Sequence, residues 1–303
     1  MTSFIRAAEI WLPASDHSLL EFGAGAFGEA LSFAAVSRAM CFGRAEGLPG
    51  EAWDLGHPVL LKQFEGSHFR RTGAAKAAGL SCAVAIPFFV GGKLTAVVTL
   101  FGSDEQASKG AMELWRNDAR ISSDMTLLDG CYGGLPPEFE RLSRDTFLPR
   151  GTGLPGIAWQ RDEAVILGQA DTNARFLRGD AATDAGICRA MAMPCCATNH
   201  ASYVLMLLSG RQTPIARRME RWVVDRAGAQ LVLAAGHCEL AGDLAPSGDV
   251  IKLLDADALL TKAVGCGVPA LTDATKRLPG AEACLWLPVL VEDKVTELVA
   301  LYL

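Results

Sequence analysis

The chain has 303 residues, half of them hydrophobic and a fifth charged, and carries a net charge of −6. That length allows two or three domains of roughly 100–150 residues, and the acidic balance argues against nucleic acid or an anionic membrane surface as partner, since both recruit clustered Lys and Arg. No apolar run reaches the ~20 residues of a membrane-spanning helix, and the N-terminus MTSFIRAAEIWLP lacks the segments of a secretory signal, so a cytoplasmic protein is expected.

In chain order, Glu9-Ile10-Trp11 leads into an apolar strand, SLLEFGAG. Gly23, Gly25 and Gly28 have the spacing of a dinucleotide-binding turn, but no second apolar strand precedes Glu46, so a plain strand-to-helix turn is the better reading. Next come GLPGEAWDLGHPVLLKQF at 47–64 and a short Ala-rich helix, TGAAKAAGL. IPFFVGGKLTAVVTLF follows, two apolar strands joined by the primed turn that Gly91-Gly92 suits. Pro87 removes a ladder donor and belongs at an edge or a bulge.

The same order then recurs. GLPGIAWQRDEAVILGQA at 153–170 shares nine of eighteen positions with 47–64, where chance gives about one. Phe69 falls on Phe176, Arg71 on Arg178 and Gly79 on Gly186. Trp115 and Trp222 stand 107 residues apart, Gly47 and Gly153 106 apart, so two landmarks agree on the period. A third, shorter copy lacks the Gly-Leu-Pro-Gly block, with GCGVPALTD as a weak stand-in, and closes on LPVLVEDKVTELVALYL, whose Glu292-Asp293 turn is less typical. Domains are therefore expected at 1–105, 106–212 and 213–303. The spacing predicts lead-in helices over 108–118 and 213–226. In the second, Ile215, Met219, Trp222 and Val223 form an apolar stripe that serves internal packing or a homodimer.

Trp11-Leu12-Pro13, the G-L-P-G-x-A-W block and A-G-L-x-x-A-V-A-I-P-x-x-x-G-G-K-L-x-A-V-V-T-L-F together resemble the GAF domain. The resemblance covers nearly the whole chain, as two clear copies and one divergent one. It implies an α+β fold of tandem GAF-like domains, each an antiparallel sheet flanked by helices, with a ligand pocket on one face. It further implies a sensory or regulatory protein that binds a small molecule and signals through a partner or a further output domain. The ligand itself is not named by fold-level analogy.

In GAF domains the pocket is built from the segment before the closing hairpin. Here that segment carries His68, Phe69 and Arg71 in the first copy, and Phe176 and Arg178 in the second; Trp53 completes the set. Paired arginines are what an anionic ligand would need, although a guanidinium more often pairs within its own domain. His68 could switch near neutral pH. Bilin attachment is disfavoured, because the Cys-His pair that carries the pigment is missing, and the residues name no cofactor.

An enzymatic alternative comes from the free methionine sulfoxide reductase type of GAF protein, which works through thiols. The nine cysteines include no CxxC pair and suggest no metal site. Cys82, Cys188 and Cys196 are the candidates for redox work, yet no basic cluster surrounds them to favour a thiolate. A serine-hydrolase elbow, a P-loop and an H-E-x-x-H are absent, so a non-enzymatic protein is the preferred reading.

Overall fold

A computed structural model describes residues 3–103, 108–246 and 248–303. The expected boundary at 105/106 lies outside the described residues.

The first sheet contains β1 (Ala7–Pro13), β2 (Leu19–Ala26), β3 (Cys41–Gly43), β4 (Val59–Leu61), β5 (Cys82–Val90) and β6 (Lys93–Gly102). Three short helices accompany it, α1 (Leu31–Arg38), α2 (Gly47–Leu55) and α3 (Thr72–Ala77). The second sheet contains β7 (Gly110–Asn117), β8 (Asp124–Gly133), β9 (Phe147–Pro149), β10 (Val165–Leu167), β11 (Arg189–Cys195) and β12 (Ser202–Ser209). Its helices are α4 (Pro137–Arg144), α5 (Gly153–Arg161) and α6 (Gly179–Ala185). The third sheet contains β13 (Arg218–Val224), β14 (Gln230–Cys238), β15 (Gly242–Leu244), β16 (Val250–Lys252), β17 (Ala270–Asp273), β18 (Ala283–Val291) and β19 (Lys294–Tyr302), with α7 (Ala258–Cys266).

The strand orders are β3-β2-β1-β6-β5-β4, β9-β8-β7-β12-β11-β10 and β15-β14-β13-β19-β18-β17, all antiparallel, with β16 added beside β14. Position for position, these are the same order.

The expected α+β class with flanking helices is corrected by this architecture. Strands occupy 42% of the described residues and helices 20%, and the first two sheets curl as half-barrels beside the third. The segments expected as lead-in helices, 108–118 and 213–226, hold the central strands β7 and β13, each hydrogen-bonded on both sides. Helical dimerisation through them is therefore overturned. A short strand buried on both faces is apolar at nearly every position, so its pattern contains a helical stripe without being a helix. β7 is such a strand, with Ala111, Met112, Leu114 and Trp115 all buried.

The Gly-Leu-Pro-Gly block starts a helix in both copies. Pro49 and Pro155 stand in the first turn of α2 and α5, where a missing N–H has no helical partner to lose. Gly50 lets α2 sit on the carbonyl of Gly43, where an added Cβ would come to 2.1 Å. Gly156 does the same over Pro149, at 2.6 Å. Gly23 and Gly25 lie inside β2, paired with β1, so they form no dinucleotide turn. Glu292 and Asp293 do adopt the left-handed backbone of a primed turn, with φ of 49° and 63°, as Gly91 and Gly92 do. Pro87 and Pro288 each precede a bulge by one residue.

Each sheet has two buried faces. One packs under its own helices, as in the cluster around Trp11, Phe33, Phe42 and Phe101. The other faces a shared interior, where Ile86 and Val98 meet Met191, Leu205, Leu287 and Val299. Edges close the arrangement in a ring: β4 lies against β8, β10 against β13 and β14, and β17 against β2. Helix ends repeat the pattern. The Gly56 carbonyl after α2 accepts from Thr198 N–H at 2.8 Å. Ala164 N–H, beyond α5, donates to Glu297 Oε2 at 2.9 Å. The Gly267 carbonyl after α7 accepts from Thr95 Oγ1 at 3.0 Å. Burial in this shared interior stabilises the packing of the three sheets by about 1.5–3 kcal/mol per large apolar side chain.

Candidate ligand site

Alternation along a strand puts residues i and i+2 on one face, and each sheet uses this at its central strand. Trp11 Nε1 donates to Glu9 at 3.1 Å, Trp115 Nε1 to Glu113 at 2.9 Å and Trp222 Nε1 to Glu220 at 2.8 Å. All three carboxylates are fully buried.

Arginine neutralises each. Arg71 donates to both oxygens of Glu9, at 2.5 and 3.0 Å, and to Ser37 Oγ. Its guanidinium lies among five aromatic rings, nearest Phe33 at 4.6 Å from the centroid. Arg178 donates to both oxygens of Glu113, at 2.7 and 2.8 Å, and to Ser143 Oγ. Burial acts to raise the Glu113 carboxyl, but the charge and hydrogen bonds of Arg178 override it and hold it below the usual value. In the third sheet the cation comes from two residues upstream, as Arg218 Nε donates to Glu220 at 2.6 Å. Tyr302 hydroxyl also donates to Glu220, at 2.9 Å.

The predicted residues therefore fall into separate groups. Arg71 and Arg178 are committed to carboxylates of their own chain, and Phe69 and Phe176 are buried beside them as core anchors. An anion arriving there would have to displace a buried glutamate. Trp53 is half-buried on α2, against the helix-side core. His68 is outside, 2.6 Å from Glu51. With Phe69, Ser67 and Arg70 it lines a shallow cleft of about 550 Å³ at the start of α2, where Arg70 pairs with Glu46 at 2.7 Å.

The thiols do not converge either. Cys82 is buried in the shared interior. Cys188 and Cys196 flank β11, roughly 25 Å apart at ~3.3 Å per residue, far beyond the ~7 Å reach of a disulfide. Burial raises the Cys188 and Cys196 thiols and pushes Cys195 up to about 12, the reverse of what thiolate chemistry needs.

A second cavity, of about 480 Å³, opens where the three closing hairpins come together. Phe89 and Gly92 reach it from the first sheet, Cys196 and Tyr203 from the second, and Leu290 and Asp293 from the third. The C-terminal end of α5 adds Trp159 and Asp162. His57 stacks on Tyr203 at 4.7 Å, and Gly91 N–H donates to Asp293 Oδ1 at 2.9 Å. Sequence motifs do not reveal this site, because it is assembled from hairpin tips remote in sequence. One signal does point there, since Trp159 is the aligned partner of Trp53.

No family model and no curated protein matches the chain. Solved structures that match include GAF domains, the family the sequence resembles. The GAF domain of A. aeolicus NLH2 in an inactive state is 21% identical, with 33% of this chain and 58% of that one covered and a TM-score of 0.27. The free methionine-R-sulfoxide reductase of Neisseria meningitidis with its substrate is 18% identical, covering 35% and 53%, at 0.25. An NreA protein of Staphylococcus aureus mutated in its nitrate-binding site is 14% identical, covering 35% and 78%, at 0.28. The matched region thus spans little more than half of the first two. At these identities and TM-scores no ligand or activity transfers. Among the described residues no helix is long and apolar enough to cross a membrane.

Proposed function

We propose that this protein is a small-molecule-binding regulatory protein built of three tandem units, and that its ligand sits between units, in the cavity at the hairpin tips. The observation that carries this reading is the contrast between the two kinds of interior. Beneath the helices of the first two sheets, the space is filled by Arg71–Glu9 and Arg178–Glu113 with their aromatic surround. At the hairpin tips there is an open volume with aromatic walls and polar groups, the usual composition of a ligand site. The thiols that reach it, Cys195 and Cys196, are held protonated by burial, which favours binding over thiol turnover, with signal output through a partner.

A second reading puts the ligand in the cleft beside His68 and Phe69, which is as large but shallower, and whose charged groups are already paired. Native mass spectrometry of the purified full chain distinguishes the two. A retained small molecule that is lost in Trp159→Ala and kept in His68→Ala supports the hairpin site, and the opposite result supports the cleft. A mass lower by two hydrogens, restored by reductant, would instead revive the thiol reading.

A further inference from the structure

We propose that the ligand of the hairpin cavity is a small organic cation with an apolar body, an inference that rests on the ligand-binding reading above. Three carboxylates line the cavity, Asp162, Glu292 and Asp293, and no lysine, arginine or histidine does among the described residues. Acidic lining of one sign lowers the energy of a bound cation and repels an anion. The walls suit the rest of such a molecule: Phe89, Trp159 and Tyr203 offer aromatic surface, on which cations also bind favourably. One face of the Trp159 ring is taken by the Arg150 guanidinium, 5.3 Å from its centroid, which leaves the other face for the ligand.

The placement of the acids adds to this. All three have left-handed backbones, with φ of 52°, 49° and 63°, at sites where the first sheet has Gly56, Gly91 and Gly92. A side chain there is strained where glycine is not. Three carboxylates are thus carried on strained positions around one opening. A bare metal ion fits less well, because among the described residues no group of three His, Cys, Asp or Glu is placed to hold one.

Three probes sharing one ring test the assignment: benzylammonium, benzyl alcohol and benzoate. Binding to the full chain is followed by ligand-observed NMR at low salt, against wild type, Trp159→Ala, and the triple variant Asp162→Asn, Glu292→Gln, Asp293→Asn. Asparagine tolerates the left-handed backbone and keeps the oxygen that accepts from Gly91, so the triple variant should fold. Benzylammonium is expected to bind, benzoate not to, and benzyl alcohol to bind more weakly. The mouth is exposed and salt-screened, so each lost carboxylate should weaken benzylammonium roughly threefold and all three about tenfold or more. Equal binding of all three probes, abolished by Trp159→Ala, would overturn the cation while keeping the site. No binding by any probe would overturn both.

Discussion

Arg71 grips both oxygens of Glu9 from 62 positions away, and Arg178 grips Glu113 from 65. These pairs tie the segment before each closing hairpin to the central strand of its sheet. Breaking a buried pair by removing one partner leaves an uncompensated charge, at about 3–5 kcal/mol. Arg71→Ala or Arg178→Ala should therefore lower the urea midpoint markedly, while replacing both partners, as in Glu9→Leu with Arg71→Met, should cost less than the single change. Glu113 has its folded pKa depressed, so its stabilisation is present above the unfolded value and fades as the pH falls through the folded one. Urea midpoints by circular dichroism decide this; an unchanged midpoint in Arg71→Ala would mean the pair is not formed in solution.

The residues that form these pairs, though not the pairing, repeat visibly in the amino-acid sequence. Glu9-x-Trp11, Glu113-x-Trp115 and Glu220-x-Trp222 share one pattern, and Arg71 and Arg178 occupy equivalent positions of the repeat. The partner of each arginine is not legible, because nothing local in the sequence tells a guanidinium that binds a ligand from one that binds a glutamate sixty residues away. The hairpins can be read from their turns and apolar flanks. The lead-in strands cannot, since a central strand with both faces covered has lost the alternation that marks a strand. The hairpin cavity exists only once the three sheets are placed in space.

Gly50 is the critical position of the first Gly-Leu-Pro-Gly block. An alanine Cβ there meets a backbone carbonyl that cannot rotate away, so Gly50→Ala should destabilise by about 3 kcal/mol or more, an overpacking cost at the top of the usual range. Gly73, in α3, has nothing within 4 Å of the same added atom. Gly73→Ala should stabilise by about 0.5–1 kcal/mol through helix propensity. Thermal denaturation of both variants checks the pair, and similar shifts in the two would refute the close approach of α2 to Gly43.

Thiol reactivity should follow exposure and burial rather than position in the repeat. Cys41 and Cys266 are exposed. Cys188, Cys195 and Cys196 are held in the protonated form by burial. Brief iodoacetamide treatment at pH 7.5, read by peptide mass spectrometry, should modify Cys41 and Cys266 well before the other three. Early labelling of Cys196 would show an activated thiol at the cavity and reopen the redox role.

Glu297 makes the contact between the second and third sheets sensitive to pH. Burial pushes its carboxyl up to about 7, even though Ala164 N–H and Arg221 act to lower it. A carboxyl whose folded pKa lies above its unfolded value contributes stability in full below the unfolded value, near 4.5. That contribution is lost as the pH rises through about 7, where the group must ionise in place. Each pKa unit is worth about 1.4 kcal/mol, so the loss by pH 8 is about 3–4 kcal/mol as an upper figure. Glu297→Gln keeps an oxygen to accept from Ala164 and removes the titration. The variant should match wild type near pH 5 and melt higher than wild type at pH 8. Melting curves at the two pH values settle the matter, and a constant difference between the proteins would place the pH dependence elsewhere.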